Sequence, residues 1–163
     1  MVKIFGTARS EQGSAVVELA VALPVLILIL AATIDFSRVF HMAIALQDAA
    51  RAGAQWGAAS TTNSGNTATM QTTATNATNL TGVVASASRL CQCASNTGTF
   101  SSTTPTANDC TTAEATACPS GGHRVVTVTV TTTKTFTTIF TGILPGVAQT
   151  TTLTRSATQR VMQ

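Results

Sequence analysis

The chain has 163 residues, enough for one modest domain and an anchoring segment but too few for two domains with independent cores. Only 9% of the residues are charged and 4% are aromatic, and Thr accounts for about a fifth of the sequence. This low charge density argues against a cytosolic enzyme. The formal net charge of +3 is spread without any cluster of Lys or Arg, which argues against a nucleic-acid partner.

The N-terminal third predicts a membrane anchor. Residues 1–13 form a short polar leader, and residues 14–34 form an apolar run in which Glu18 is the one ionisable side chain. These 21 residues would span roughly 31 Å as a helix, close to the ~30 Å hydrocarbon core of a bilayer. Pro24 is expected to bend this helix. A buried helix of a soluble domain is the alternative, but the rest of the chain lacks the apolar mass to surround it.

The charges that flank the apolar run predict its orientation. Lys3 and Arg9 precede it, so the N-terminus is expected to stay in the cytoplasm and everything after residue 35 to lie outside the membrane. Arg38, which follows the run, weakens this signal without reversing it.

The helix is expected to continue beyond the membrane. Over residues 35–58 apolar and polar side chains recur at intervals of three, four and seven, which predicts an amphipathic extension with one packing face and one wet face. Residues 57–66 are typical of a linker. A second, weaker helix is predicted over about residues 66–82, stopped by Gly82.

The remainder, within an exported Thr-rich domain of residues 59–163, has the character of strands and loops. Residues 124–136 alternate Val and Thr, which predicts a strand with one buried and one wet face. A similar alternation around Leu153, Arg155 and Ala157 predicts another strand, and residues 142–146 form a break between the two strands. We therefore expect the two strands to pair as an antiparallel hairpin with a long connection. The predicted fold class is therefore α+β, a long N-terminal helix followed by a small domain with a second helix and an antiparallel sheet.

Four cysteines predict disulfides in the exported domain. They lie at Cys91, Cys93, Cys110 and Cys118. A C-x-C spacing is a poor zinc knuckle, so no metal site is expected. Four cysteines allow three connectivities; a direct bond between the first two would be strained, which leaves a crossed and a nested pattern. The nested pattern, Cys91 with Cys118 and Cys93 with Cys110, is favoured.

Catalytic chemistry is not expected. His41 and His123 are about eighty residues apart, and the sequence shows no recognisable set of nucleophile, base and orienting carboxylate. We therefore predict neither enzymatic activity nor a cofactor.

The start of the apolar run also has the features of a processing signal. A secretory signal peptide is one alternative, but its apolar region is typically shorter, and cleavage after it would discard Glu18. A basic leader ending in Gly13, followed by Ser14 and by Glu18 as the fifth residue from the cut, resembles the type IV prepilin signal. That resemblance implies cleavage after Gly13 by a prepilin peptidase. Glu18 would then pair with the new Ser14 ammonium of its own or a neighbouring chain, or it could snorkel to the membrane surface as a structural detail.

The residues that follow narrow the resemblance to one family. Over about 45 residues the chain resembles the TadE-like proteins, minor pilins or pseudopilins of the tight-adherence (Flp) pilus system. The matching elements are Gly13, Ser14, Glu18, Leu23, Pro24, Asp35, Phe36, Arg38 and residues 45–54.

The resemblance implies a role in assembling a pilus used for surface adhesion or secretion. It implies as partners a prepilin peptidase, other pilin and pseudopilin subunits met through the N-terminal helix, the assembly platform and membrane lipid. The alternative is an unprocessed, single-pass envelope protein whose exported domain binds a ligand or a wall component. Major Flp pilins are far shorter and TadG-type members much longer, which favours a minor component.

Overall fold

The computed structural model describes residues 10–94, 123–139 and 150–162. The helices and strands in this part of the chain are, in order, α1 (Ser10–Ala58), α2 (Thr61–Gly65), α3 (Thr67–Asn76), β1 (Val84–Ala94), β2 (His123–Thr137) and β3 (Thr150–Arg160). A long apolar N-terminal helix followed by short helices and an antiparallel sheet confirms the predicted α+β class.

Helix α1 is unbroken across the predicted membrane boundary. It has 49 residues and runs through Pro24, so the predicted membrane segment and its amphipathic extension are one helix. The bend expected at Pro24 remains a prediction. The two parts of the helix differ in burial. Side chains before Ala43 are exposed or half-buried, whereas a helically spaced set that starts at Ala43 is buried. That set comprises Ala43, Leu46, Ala49, Ala50, Ala54 and Ala58.

The prediction of a linker over residues 57–66 is wrong, because most of this segment is helical. Helix α1 continues to Ala58, and Thr61–Gly65 forms α2. Ser60 caps α2, since its hydroxyl oxygen accepts a hydrogen bond from the backbone N–H of Asn63 at 3.1 Å. A run of Ser, Thr and Asn that resembles a loop by composition therefore supplies the N-cap of a short helix.

The second helix exists but is shorter than predicted. Asn66 caps α3, its side-chain oxygen accepting from the Thr69 N–H at 3.1 Å, and the helix ends at Asn76 rather than near Gly82. Met70 and Ala74 are fully buried, whereas Ala77, the next residue of that face, is exposed. With no core to cover beyond Ala74, a Thr-rich helix has little to stabilise another turn.

The sheet has the order β1–β2–β3, with both pairs antiparallel. The antiparallel pairing of β2 with β3 confirms the predicted hairpin partners, while residues 142–146 lie outside the described part of the chain. The alternation in β2 is also confirmed. The inward side chains are fully buried at Val126, Val128 and Val130, and the outward side chains are half-buried at Thr127, Thr129 and Thr131.

The core lies between the inner face of this sheet and the two helices α1 and α3. Its buried members include Ala54, Met70, Ala74, Cys91, Val126, Val128, Val130 and Val161. Few of these side chains are large, so the core depends on close approach of the backbones. The buried Thr132 adds a polar link, because its hydroxyl donates to the Leu46 carbonyl of α1 at 2.9 Å.

Two glycines of α1 permit this approach. A Cβ at Gly53 would lie 2.7 Å from the Met70 carbonyl oxygen and 3.2 Å from Cγ1 of Val130. A Cβ at Gly57 would overlap the Met70 sulfur and lie 3.4 Å from Cγ2 of Val128. Gly53 faces backbone, so a side chain there must push α1 away from α3, whereas a side chain at Gly57 would first displace the buried Met70 side chain.

We predict that Gly53→Ala destabilises the domain, although alanine is the better helix former. The helix-propensity gain is about 1 kcal/mol, whereas overpacking a close contact costs about 1–3 kcal/mol, and the carbonyl of Met70 has little room to move. Chemical denaturation of the full chain in detergent measures the difference. Gly65→Ala is the matched control, since a Cβ there meets only Arg89 at 3.7 Å. Equal or greater stability of Gly53→Ala would contradict this packing.

Candidate functional site: the N-terminal helix and its junction with the domain

The first half of α1 is an apolar surface that the other described residues leave uncovered. Between Val16 and Ile34 every large apolar side chain is 45–72% exposed. Exposing that much apolar surface to water is unfavourable, so it requires either lipid or other protein. Helix α1 is the one helix in the described residues that is long and apolar enough to span a membrane.

The residues of the predicted cleavage site lie at the start of this surface. Gly13, Ser14 and Glu18 are all helical and exposed, and the peptide bond between the first two lies inside α1. Ser14 and Glu18 are four residues apart, which places them one turn from each other on the same side of the helix. Glu18 shares a surface of the helix with Val17 and with apolar side chains of the next turns, so its surroundings are apolar.

The Glu18 side chain is an exposed carboxylate with apolar neighbours. The Glu18 carboxylate makes no hydrogen bond among the described residues, in which Ser14 still carries a peptide bond rather than a free amine. Chemically, such a carboxylate can accept hydrogen bonds from an ammonium brought within one helical turn or supplied by another chain. Its role in an ion pair therefore stays a prediction.

A second cluster lies where the apolar run ends. Asp35 accepts hydrogen bonds from the backbone N–H of Ile139, at 3.3 and 3.2 Å from its two carboxylate oxygens, and forms an ion pair with Arg38 at 3.0 Å. The Arg38 guanidinium in turn lies over the ring of Phe136, 5.2 Å from the centroid. We call these four residues the junction cluster. They join α1 to the end of β2.

The junction cluster is the part of the site that sequence reasoning missed. Asp35 and Arg38 were recognised as the end of the apolar run and as elements of the family resemblance. Their contact with Ile139 joins residues 104 positions apart, which no local pattern reveals. The available signal was chemical: an acid directly after a long apolar helix must find a donor or face water.

The amphipathic extension differs from the single packing face that was predicted, because its apolar positions divide into two sets. One set packs into the domain through residues such as Leu46. The other faces solvent: Phe36, Phe40 and Ile44 are 71%, 60% and 49% exposed, and the first two rings stack with centroids 6.5 Å apart. The helix therefore carries an apolar stripe on the side away from its own domain.

The cysteines are partly described. Cys91 and Cys93 lie two residues apart on β1, and neither is a free cysteine in the structure. Cys91 is buried in the core at 2% exposure. Cys110 and Cys118 lie outside the described residues, so the nested pairing stays a prediction.

No metal-binding cluster is found in the parts of the chain that the structure describes. Residues 10–94, 123–139 and 150–162 contain no group of three or more His, Cys, Asp or Glu side chains that could hold a metal ion. His41 lies on α1 and His123 begins β2. The chemical features of α1 are an apolar surface, one carboxylate within it, and a polar junction at its end.

Comparison with known proteins bears on this same helix. The family model described as TadE-like protein matches residues 13–55, which confirms the recognition of that family in this segment. The match begins at Gly13 and covers the exposed apolar part of α1, the junction residues Asp35 and Arg38, and most of the packed second half. Comparisons with curated proteins and with solved structures found no match.

We predict that Asp35→Ala opens the junction cluster without unfolding the domain. A hydrogen bond to a charged, partly exposed acceptor contributes about 1.4 kcal/mol, so amide exchange at Ile139 should become roughly tenfold faster. Hydrogen exchange followed at residue resolution measures this change. Asp48→Ala is the control, since Asp48 is an exposed carboxylate of the same helix whose nearest ion-pair distance, to Arg51, is 3.7 Å. Unchanged exchange at Ile139 would show that Asp35 does not hold the end of β2.

Proposed function

We propose that the protein is a TadE-like minor pilin or pseudopilin that acts in the assembly of a tight-adherence (Flp) pilus used for surface adhesion or secretion. The observation that carries this proposal is the coincidence of the TadE-like match, residues 13–55, with a helix whose first half is apolar and exposed. A surface of that kind serves both lodging in lipid and packing against other helices. The proposed role is structural, not enzymatic.

In this proposal a prepilin peptidase cuts between Gly13 and Ser14 on the cytoplasmic face of the inner membrane. The cut leaves a helix that starts with an ammonium and carries Glu18 one turn later. A carboxylate held in an apolar setting has a strong preference for a partner of opposite charge. The Ser14 ammonium of the same or a neighbouring subunit is that partner.

Assembly then uses the exposed first half of α1. Before assembly this half is covered by lipid, and afterwards by the equivalent helices of other pilin or pseudopilin subunits, delivered by the assembly platform. The domain lies outside the membrane and travels with the helix, because the second half of α1 forms part of its core.

The alternative is a permanently anchored envelope protein that keeps its leader and whose domain binds a ligand or wall component. One observation favours it: the Gly13–Ser14 bond lies within helix α1, not in an extended segment. A peptidase would have to unwind that turn before it could cut. The two candidates therefore differ in the N-terminus of the protein recovered from its native cell.

The proposal predicts a mature chain that begins at Ser14, measured by intact mass and N-terminal sequencing. Gly13→Phe should block the cut, and the fold should tolerate it because a Cβ at Gly13 meets nothing within 4 Å. The control is Gly65→Ala, a glycine substitution remote from the site. A native protein that begins at Met1 and still supports pilus formation would refute processing and favour the anchored alternative.

We further predict that Glu18→Gln leaves membrane insertion intact and lowers recovery of the protein in sheared filaments by at least about tenfold. Losing one charge-assisted contact of about 1.5–3 kcal/mol has an effect of this size. Asp48→Asn, which neutralises an exposed carboxylate elsewhere on α1, is the matched control and should assemble normally. Equal recovery of both variants would show that the charge of Glu18 has no role in assembly.

A further inference from the structure

The junction cluster ties one end of the sheet to a defined height on α1. Asp35 is the first ionisable residue after the apolar run, and both of its carboxylate oxygens are within 3.3 Å of the Ile139 N–H. The end of β2 is therefore held at the level of the helix where the hydrocarbon core of a bilayer would end.

The height of this level can be compared with the thickness of a headgroup layer. A bilayer is about 40–45 Å thick with a hydrocarbon core of about 30 Å, which leaves about 5–7.5 Å for the headgroups on each side. With a rise of about 1.5 Å per residue, Arg38 lies about 6 Å beyond Ile34. The junction cluster thus falls inside the headgroup layer, whereas Ile44 lies about 15 Å beyond Ile34 and outside it.

The side chains at this level have the chemistry of an interface with lipid. Phe36 and Ile139 are apolar and exposed, at 71% and 54%. The Arg38 side chain is 45% exposed and uses Nη1 for Asp35, which leaves further N–H donors of its guanidinium for an acceptor on the solvent side. Apolar side chains that flank a guanidinium match a boundary where acyl chains meet phosphates.

We infer that the end of β2 rests on the lipid headgroup layer, with Ile139 and Phe36 entering its apolar edge and Arg38 bound to a lipid phosphate. This inference rests on the proposed membrane anchoring of α1. It gives the domain a fixed orientation on the membrane surface, in addition to its attachment through the helix.

Depth-dependent tryptophan quenching tests the location. The full chain is placed in nanodiscs of phosphatidylglycerol and phosphatidylcholine that carry bromine near the headgroup or at mid-chain, with Trp56, the one native tryptophan, replaced by Phe. Single tryptophans are then introduced as Ile139→Trp, Met162→Trp and Leu26→Trp. Met162 is the matched control: it is an exposed apolar residue at 71%, and its N–H is bonded to the carbonyl of Ala58 at the distal end of α1.

Position 139 should be quenched by bromines near the headgroup at least about threefold more than position 162, since Ala58 lies about 36 Å beyond Ile34. Position 26 should be quenched by bromines at mid-chain. Equal quenching at positions 139 and 162, with position 26 quenched, would overturn the inference alone. An unquenched position 26 would overturn the membrane anchoring on which it rests. If the Trp56→Phe background does not fold, the same three substitutions are measured with Trp56 retained, as differences from the native chain.

The phosphate contact is tested by lipid selectivity. Arg38→Gln should lower the preference of spin-labelled phosphatidylglycerol over phosphatidylcholine for the protein by about fivefold, the effect of one basic side chain at an anionic surface. Arg51→Gln, which removes an exposed Arg about 26 Å beyond Ile34, should leave this preference unchanged. Equal preference in the two variants would show that Arg38 does not bind a lipid phosphate.

Discussion

The domain is held together by the close approach of α1 to the sheet and to α3. The buried side chains that line this contact are mostly Ala and Val, with Leu46 and Met70 among the largest that are fully buried. Small side chains cover little area each, so the core gains its burial from backbones that come close together at Gly53 and Gly57. A three-stranded sheet of 11, 15 and 11 residues with one short partner helix has no comparable surface to replace α1. The domain and the second half of α1 are therefore one folding unit.

This arrangement gives a single helix two different environments. The same continuous α1 is exposed and apolar in its first half and buried along one face in its second, and the junction cluster separates the two. Because the helix does not break there, a force or displacement applied to the first half reaches the domain directly. In the proposed pilin role this means that moving the helix from lipid into a filament moves the domain as well.

Sequence reasoning predicted the elements whose signals are local and repeated. The length of the apolar run of residues 14–34 and the alternation of Val and Thr in β2 each predict their environment from local sequence alone. The segment that matches the TadE-like family, residues 13–55, is recognised by its own motif. The short helix α2 was missed because Ser60 and its neighbours have a loop-like composition, and a cap is visible only once the Ser60–Asn63 hydrogen bond exists. The end of α3 was placed too late because burial, not propensity, decides where a Thr-rich helix stops. The division of the apolar stripe at Phe36, Phe40 and Ile44 depends on where the sheet docks, which no periodicity encodes.

Hydrogen exchange of the full chain in nanodiscs measures whether α1 continues without a break from the apolar run into the domain. We expect slow exchange of the backbone amides throughout residues 18–58, including residues 35–42, where the helix leaves the apolar run and joins the domain. Fast exchange confined to residues 35–42, between two protected segments, would show a hinge and would rule out one continuous helix.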